Sequence, residues 1–157
     1  MLGKLEPNEI EEVLHRQMIG RIACHADGET YIVPVSYAYD GSYIYVHTRP
    51  GMKINMMRKN PYVCFETDIM ENMANWKSVI ARGNFEELTS PIERQEALKV
   101  LLDRILPLES SETTHLSALW PFKPRDNNEI KGIVFRILLV EKTGRFETNN
   151  QNVSHTV

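Results

Sequence analysis

The chain has 157 residues, 42% hydrophobic and 25% charged, with a formal net charge of −3. That length fits a single domain able to bury a core of its own. The slightly acidic balance speaks against general nucleic-acid binding, and no apolar run reaches membrane-spanning length.

The N-terminal stretch is acidic and amphipathic, unlike a secretory signal, so a cytoplasmic protein is expected. Asn8 and Glu11 have capping-box spacing, with Ile10, Val13, Leu14 and Met18 on one helical face. Gly20 is expected to end that helix, and residues 21–26 read as a first strand. Cys24 and Cys64 lack metal-type spacing and read as reduced core thiols. The five histidines are scattered over unlike elements, which predicts no metal site.

Asp27-Gly28 and Asp40-Gly41 are hairpin turn signals, so the first three strands are expected to form a meander. In the second strand Tyr31, Val33, Val35, Tyr37 and Tyr39 share one face; Ile32, Pro34, Ser36 and Ala38 share the other. Pro34 cannot donate to a ladder, so it marks an edge, a bulge or a surface against which a ligand lies. In the third strand Tyr43, Tyr45 and His47 alternate with Ile44, Val46 and Thr48.

Residues 51–59 read as a short helix stopped by Asn60-Pro61. Its opening, after His47-Thr48-Arg49-Pro50-Gly51, offers free backbone N–H groups, and Lys53 adds a full positive charge in the first turn. That combination is a cradle for a phosphate. Residues 62–67 form a fourth strand, and the polar stretch 68–75 reads as a loop lining a pocket mouth. The fifth strand spans residues 76–85, with Gly83 marking a bend or a close backbone approach. Ser90, Pro91 and Glu93 then open a helix carrying Ala97, Leu98, Leu101, Leu102 and Ile105. Residues 106–128 read as irregular and hold Trp120-Pro121-Phe122. The last strand, residues 130–142, is apolar on both faces and is expected to be buried in the barrel and against a helix or another subunit. A single domain over residues 1–146 and a polar, flexible tail over 147–157 complete the expected organisation.

These pieces assemble as a mainly β protein, a six-stranded antiparallel split barrel with peripheral helices. Val33-Pro34-Val35-Ser36, then Tyr45-Val46-His47-Thr48 with Gly51-Met52-Lys53, Asn60-Pro61, and Trp76 with Ser78-Val79 and Gly83 occur in an order that resembles the pyridoxamine 5'-phosphate oxidase-like FMN-binding split barrels. The likeness is nearer to their nitroimidazole-resistance (Nim) branch, with its similar His-Ser/Thr, Gly-x-Lys and Asn-Pro succession. It covers roughly residues 21–105 and, more weakly, the last strand.

The resemblance implies a homodimer with FMN, or alternatively FAD, at the subunit interface. It implies that Val33, Pro34, Val35 and Ser36 lie along the isoalloxazine edge and that His47 and Thr48 contact the flavin and its phosphate tail. Lys53 matches the phosphate-binding lysine, Ser78 stands where the family has a glutamine touching the ring, and Val79 follows it. Trp120 is placed to reach the partner's flavin, and His47 is the candidate catalytic proton carrier. The implied activity is reduction of a small acceptor, nitroimidazoles included, with electrons from NADH or NADPH. The alternatives are a non-catalytic flavin carrier or sensor and, behind it, a haem-binding split barrel.

Two departures stand out. The oxidase proper has Ser-Arg-Lys where this chain has Gly51-Met52-Lys53, leaving Arg49, Arg58 and Arg21 as candidates to supply the missing charge. The oxidase's C-terminal arginine- and histidine-bearing substrate motif is also absent, so oxidation of pyridoxamine phosphate is not expected.

Overall fold

A computed structural model describes residues 1–104 and 131–149 of the chain. In chain order these form strand β1 (Leu2–Lys4), helix α1 (Pro7–Arg16), β2 (Ile19–Ala26), β3 (Glu29–Ser36), β4 (Ala38–Tyr39), β5 (Tyr43–Thr48), α2 (Met52–Lys59), β6 (Tyr62–Asn72), β7 (Asn75–Glu87), α3 (Pro91–Asp103) and β8 (Ile133–Glu147). All pairings are antiparallel, in the spatial order β3, β2, β6, β7, β8, β5, β4, with β1 beside the far end of β8. The strands at the two ends of this path, β3 and β4, are separated in the chain by Tyr37 alone. The covalent chain therefore draws the two ends of the sheet together, and the sheet curls into a split barrel.

Tyr37 is where the expected second strand breaks. Its N–H donates to the Met18 carbonyl at 2.9 Å and its hydroxyl to the Leu14 carbonyl at 2.8 Å. Its ring meets Phe65 edge-on with centroids 4.9 Å apart. One residue thus ties the barrel interior to α1, and the meander expected of the first three strands becomes two hairpins, β2–β3 and β4–β5. The first turns through Asp27 and Gly28, both at positive φ (54° and 78°), a backbone that glycine adopts at no steric cost.

The predicted alternation holds. Val35, Tyr37 and Tyr39 point into the main core with Ile22, Ile44, Val46, Phe65, Val79 and Phe135, and Tyr31 and Val33 pack against it. A second cluster lies under α3, where Ala97, Leu98 and Leu101 cover Ala38, Tyr45 and Val134. The last strand is covered unevenly: α3 reaches Val134, while Leu138 and Val140 stay 37% and 63% exposed.

Several boundaries differ from expectation. Residues 68–72, expected as loop, continue β6, because Asp68, Ile69 and Met70 pair with Ser78, Lys77 and Trp76 and the ladder outweighs their polar composition. Gly20 lies inside β2 rather than ending α1. The cap of α1 is Glu6, whose N–H donates to Glu9 at 2.8 Å, which leaves Glu11 free to accept from Tyr39 and Lys142. Cys64 pairs with Ala23 on the outer face, so only Cys24 is a core thiol; both are free. Glu147 closes β8, Asn149 donates to Asn75 at 3.1 Å, and β1 pairs with residues 145–147. No helix among the described residues is long and apolar enough to cross a membrane.

Gly83 sits at the register shift between β7 and β8. A Cβ there would lie 2.4 Å from the Leu138 carbonyl oxygen and 2.6 Å from Ile137 Cγ2. The obstacle is backbone and cannot swing aside. Gly83→Ala is expected to cost about 1–3 kcal/mol of stability, read as a lower urea midpoint at an unchanged slope.

Candidate functional site

The three helices begin differently. The first turn of α1 carries Glu9, and Ser90 Oγ accepts from the Glu93 N–H at 3.3 Å to cap α3. At α2, Gly51 supplies no side chain, no capping bond is made and the first turn has no acid. The N–H groups of that turn therefore keep their attraction for an anion. Lys53 is half-buried there, and among the described residues it has no hydrogen-bond or ion-pair partner. Burial lowers its pKa, partly opposed by the neighbouring Cys24 thiol. The same burial raises Cys24. The other two cations of α2 are engaged: Arg58 holds Glu87 through bonds of 3.0 and 2.7 Å, and Lys59 holds Asp27 at 2.6 Å.

The register distributes the other predicted residues. Val35 and Val79 are buried in the core and Val33 packs against it. Pro34 is exposed on β3, which among the described residues pairs with β2 alone, so the edge position explains its tolerance there. Ser36 is buried and its hydroxyl makes no hydrogen bond among the described residues. Ser78 is half-buried on the outer side of β7 and donates to Glu66 at 3.3 Å. Glu66 and Asp68 in turn accept from Arg21 at 3.0 Å each. Pro34 and Ser78 are three strand spacings apart, roughly 14 Å, so one barrel does not bring them together.

His47 and Thr48 face opposite ways. Val46 on the Thr48 side belongs to the main core, whereas Tyr45 on the His47 side packs under α3. The His47 ring bonds to the Lys131 carbonyl. Burial is the main influence lowering its pKa, and the charges of Arg94 and Arg104 add to it against that hydrogen bond. The ring is thereby favoured in its neutral form. Thr48 Oγ1 donates to the Arg49 carbonyl at 3.2 Å. Trp120 lies outside the described residues. No group of three or more metal-type side chains comes together among the described residues.

A family profile described as pyridoxamine 5'-phosphate oxidase matches residues 6–146. The chain belongs to that family. A FAD-binding protein of Mesorhizobium loti shares 31% identity over 95% of this chain and 98% of its own, with a TM-score of 0.71. A candidate 5-nitroimidazole antibiotic resistance protein of Bacteroides thetaiotaomicron is 18% identical over 93% of this chain and 87% of its own, TM-score 0.70, a likeness of fold alone. An uncharacterised protein of Rhizobium meliloti is 38% identical over 80 residues, 51% of this chain. The match covers 53% of that relative, so the chain spans about half its length.

Within this pyridoxamine 5'-phosphate oxidase family member, two of the three arginines considered as replacements for the missing phosphate-site charge are committed elsewhere. Arg21 is held by Glu66 and Asp68, and Arg58 by Glu87. Sequence reasoning missed the chain from Arg21 through Glu66 to Ser78. Its members lie on three strands, β2, β6 and β7, far apart in the chain, and their juxtaposition needs the cross-strand register. The orphan hydroxyl of Ser36 carries no sequence signal, since serine is as common on solvated strands.

Proposed function

We propose that the chain is a flavin-binding oxidoreductase that holds FMN by its phosphate and passes electrons from NADH or NADPH to a small acceptor, nitroimidazoles among the candidates. The observation that carries this reading is the opening of α2, with uncapped N–H groups and a half-buried Lys53 that has no partner among the described residues. A phosphate supplies what both lack. The unpaired hydroxyl of Ser36 is a second fit, a buried polar atom available to the polar edge of a flavin ring. FAD is the second reading, favoured by the FAD-binding M. loti relative.

When bound, the flavin supplies the redox chemistry; the protein's residues bind, orient and shield it. Lys53 anchors the tail. Ser78, whose proton is directed to Glu66, presents lone pairs outward and so suits an N–H donor. His47, favoured neutral, can pass a proton as the flavin changes redox state.

The second subunit of the proposed homodimer finds support in the outer face of β3, β2, β6 and β7. There Ile32, Ala23 and Cys64 form one row and Pro34, Arg21, Glu66 and Ile80 the next. Ile32 and Ile80 are 64% and 51% exposed, more than a lone barrel needs to show.

The deciding measurement is the visible spectrum of the purified protein. The expected result is a yellow flavin band that NADH or NADPH bleaches anaerobically and a 5-nitroimidazole restores. A coloured protein indifferent to both nucleotides is a carrier. A colourless protein whose melting temperature ignores FMN and FAD ends the flavin reading.

A further inference from the structure

A cavity of about 670 Å³ opens between the end of α1, the junction of β3 and β4, and the end of α3. The volume is that of a site for a small organic molecule. Its walls are aromatic and apolar: Tyr37, Tyr39, His15 and Val100 line it, with the His15 and Tyr39 rings 4.7 Å apart. None of the residues assigned above to the flavin lines it.

One wall is cationic. Arg104 lines the cavity, and its buried Nε and Nη1 have no hydrogen-bond acceptor among the described residues. Asp103, next in the chain, is not its partner: burial alone brings Arg104 down to about 10, with no carboxylate opposing it. The nearby Glu11 is committed to Tyr39 and Lys142. Arg16 adds a second positive charge at the same cavity. A guanidinium that has lost its water and gained no counter-charge is unfavourable unless a ligand completes it.

We propose that this cavity binds a small aromatic carboxylate, with the Arg104 guanidinium as its anchor and the Tyr39 and His15 rings as its walls. A carboxylate supplies the counter-charge that Arg104 lacks among the described residues, and an aromatic ring fills the space beside it. Asp103 on the same wall offsets one of the two arginine charges, which favours a monoanion over phosphate. The proposal does not rest on the flavin reading, because none of the residues lining the cavity is a proposed flavin ligand.

The site has an internal reporter. Arg104 and Arg94 are the charged groups that hold His47 down, while the Lys131 carbonyl accepts from it. A carboxylate on Arg104 cancels part of that positive field, so occupancy raises the titration midpoint of the His47 imidazole.

The test is calorimetric titration of the full chain with benzoate, with inorganic phosphate in parallel and His47 followed by NMR across pH. The expected result is saturable benzoate binding at one per chain, an upward move of the His47 midpoint, and at least tenfold weaker binding in Arg104→Met. The unliganded Arg104→Met protein is expected to melt no lower than wild type, since it loses an unpaired buried charge. Val100→Trp, which fills the cavity and leaves Arg104 in place, is expected to abolish binding and stands in should Arg104→Met not fold. The proposal is overturned if benzoate does not bind wild type saturably, binds either variant equally well, leaves His47 unmoved, or is outcompeted by phosphate.

Discussion

Replacing Lys53 with methionine is expected to weaken FMN binding to the apoprotein by roughly 10- to 150-fold, the equivalent of about 1.5–3 kcal/mol for a charge-assisted bond to phosphate. Methionine keeps the length and apolar stem of the side chain and removes only its charge. The neighbouring cation provides the control. Lys59 lies on the same helix, but its ammonium already holds Asp27 at 2.6 Å on the exposed surface. Lys59→Met is therefore expected to leave FMN affinity unchanged. The contrast separates a specific phosphate ligand from the general positive field of α2, which both substitutions reduce by one charge. Quenching of flavin fluorescence on titration into apoprotein gives both affinities. Equal affinities for wild type and Lys53→Met would remove the anchor from the proposed site.

The same pair of lysines shows what a sequence conveys and what it withholds. The first-turn position singles out Lys53 in the sequence, and packing adds what the sequence withholds: Lys53 turns toward Cys24 on β2 and is half-buried, while Lys59 reaches out to the β2–β3 turn. Periodicity placed most of the barrel because it reports burial directly. The alternation from Tyr31 to Tyr39 assigned the inner face even though the strand breaks at Tyr37, since side-chain direction survives that interruption. Ser90 was legible because a cap is a local event. Strand β1 was not, because three residues carry no period and their structure depends on partners about 140 positions away. The site follows the same division. The phosphate cradle at α2 is local and could be read. The Arg21–Glu66–Ser78 chain and the position of Arg104 behind His47 arise only when distant strands and helices are packed together.

That division bears on the second large effect, the assembly of two chains. Pro34 and Ser78 lie on one outer sheet face but roughly 14 Å apart, so a flavin held against either needs a further surface to close over it. A second copy laid on this face provides that surface and covers Ile32 and Ile80 as well. The double substitution Ile32→Glu with Ile80→Glu is expected to leave the barrel folded, because both side chains are more than half exposed in the single chain. It places four carboxylates between two chains. Of the cations on this face, Arg21 is already held by Glu66 and Asp68, and Arg82 already faces Glu141. Each unpaired carboxylate forced out of water costs several kcal/mol, more than an interface of ordinary size can return. The expected outcome is a monomer by light scattering, an unchanged far-UV spectrum and loss of bound flavin with Lys53 intact. A dimer that survives both glutamates and keeps its colour would move the interface to another face of the barrel. A monomer that still binds FMN tightly would show instead that one chain completes the pocket alone.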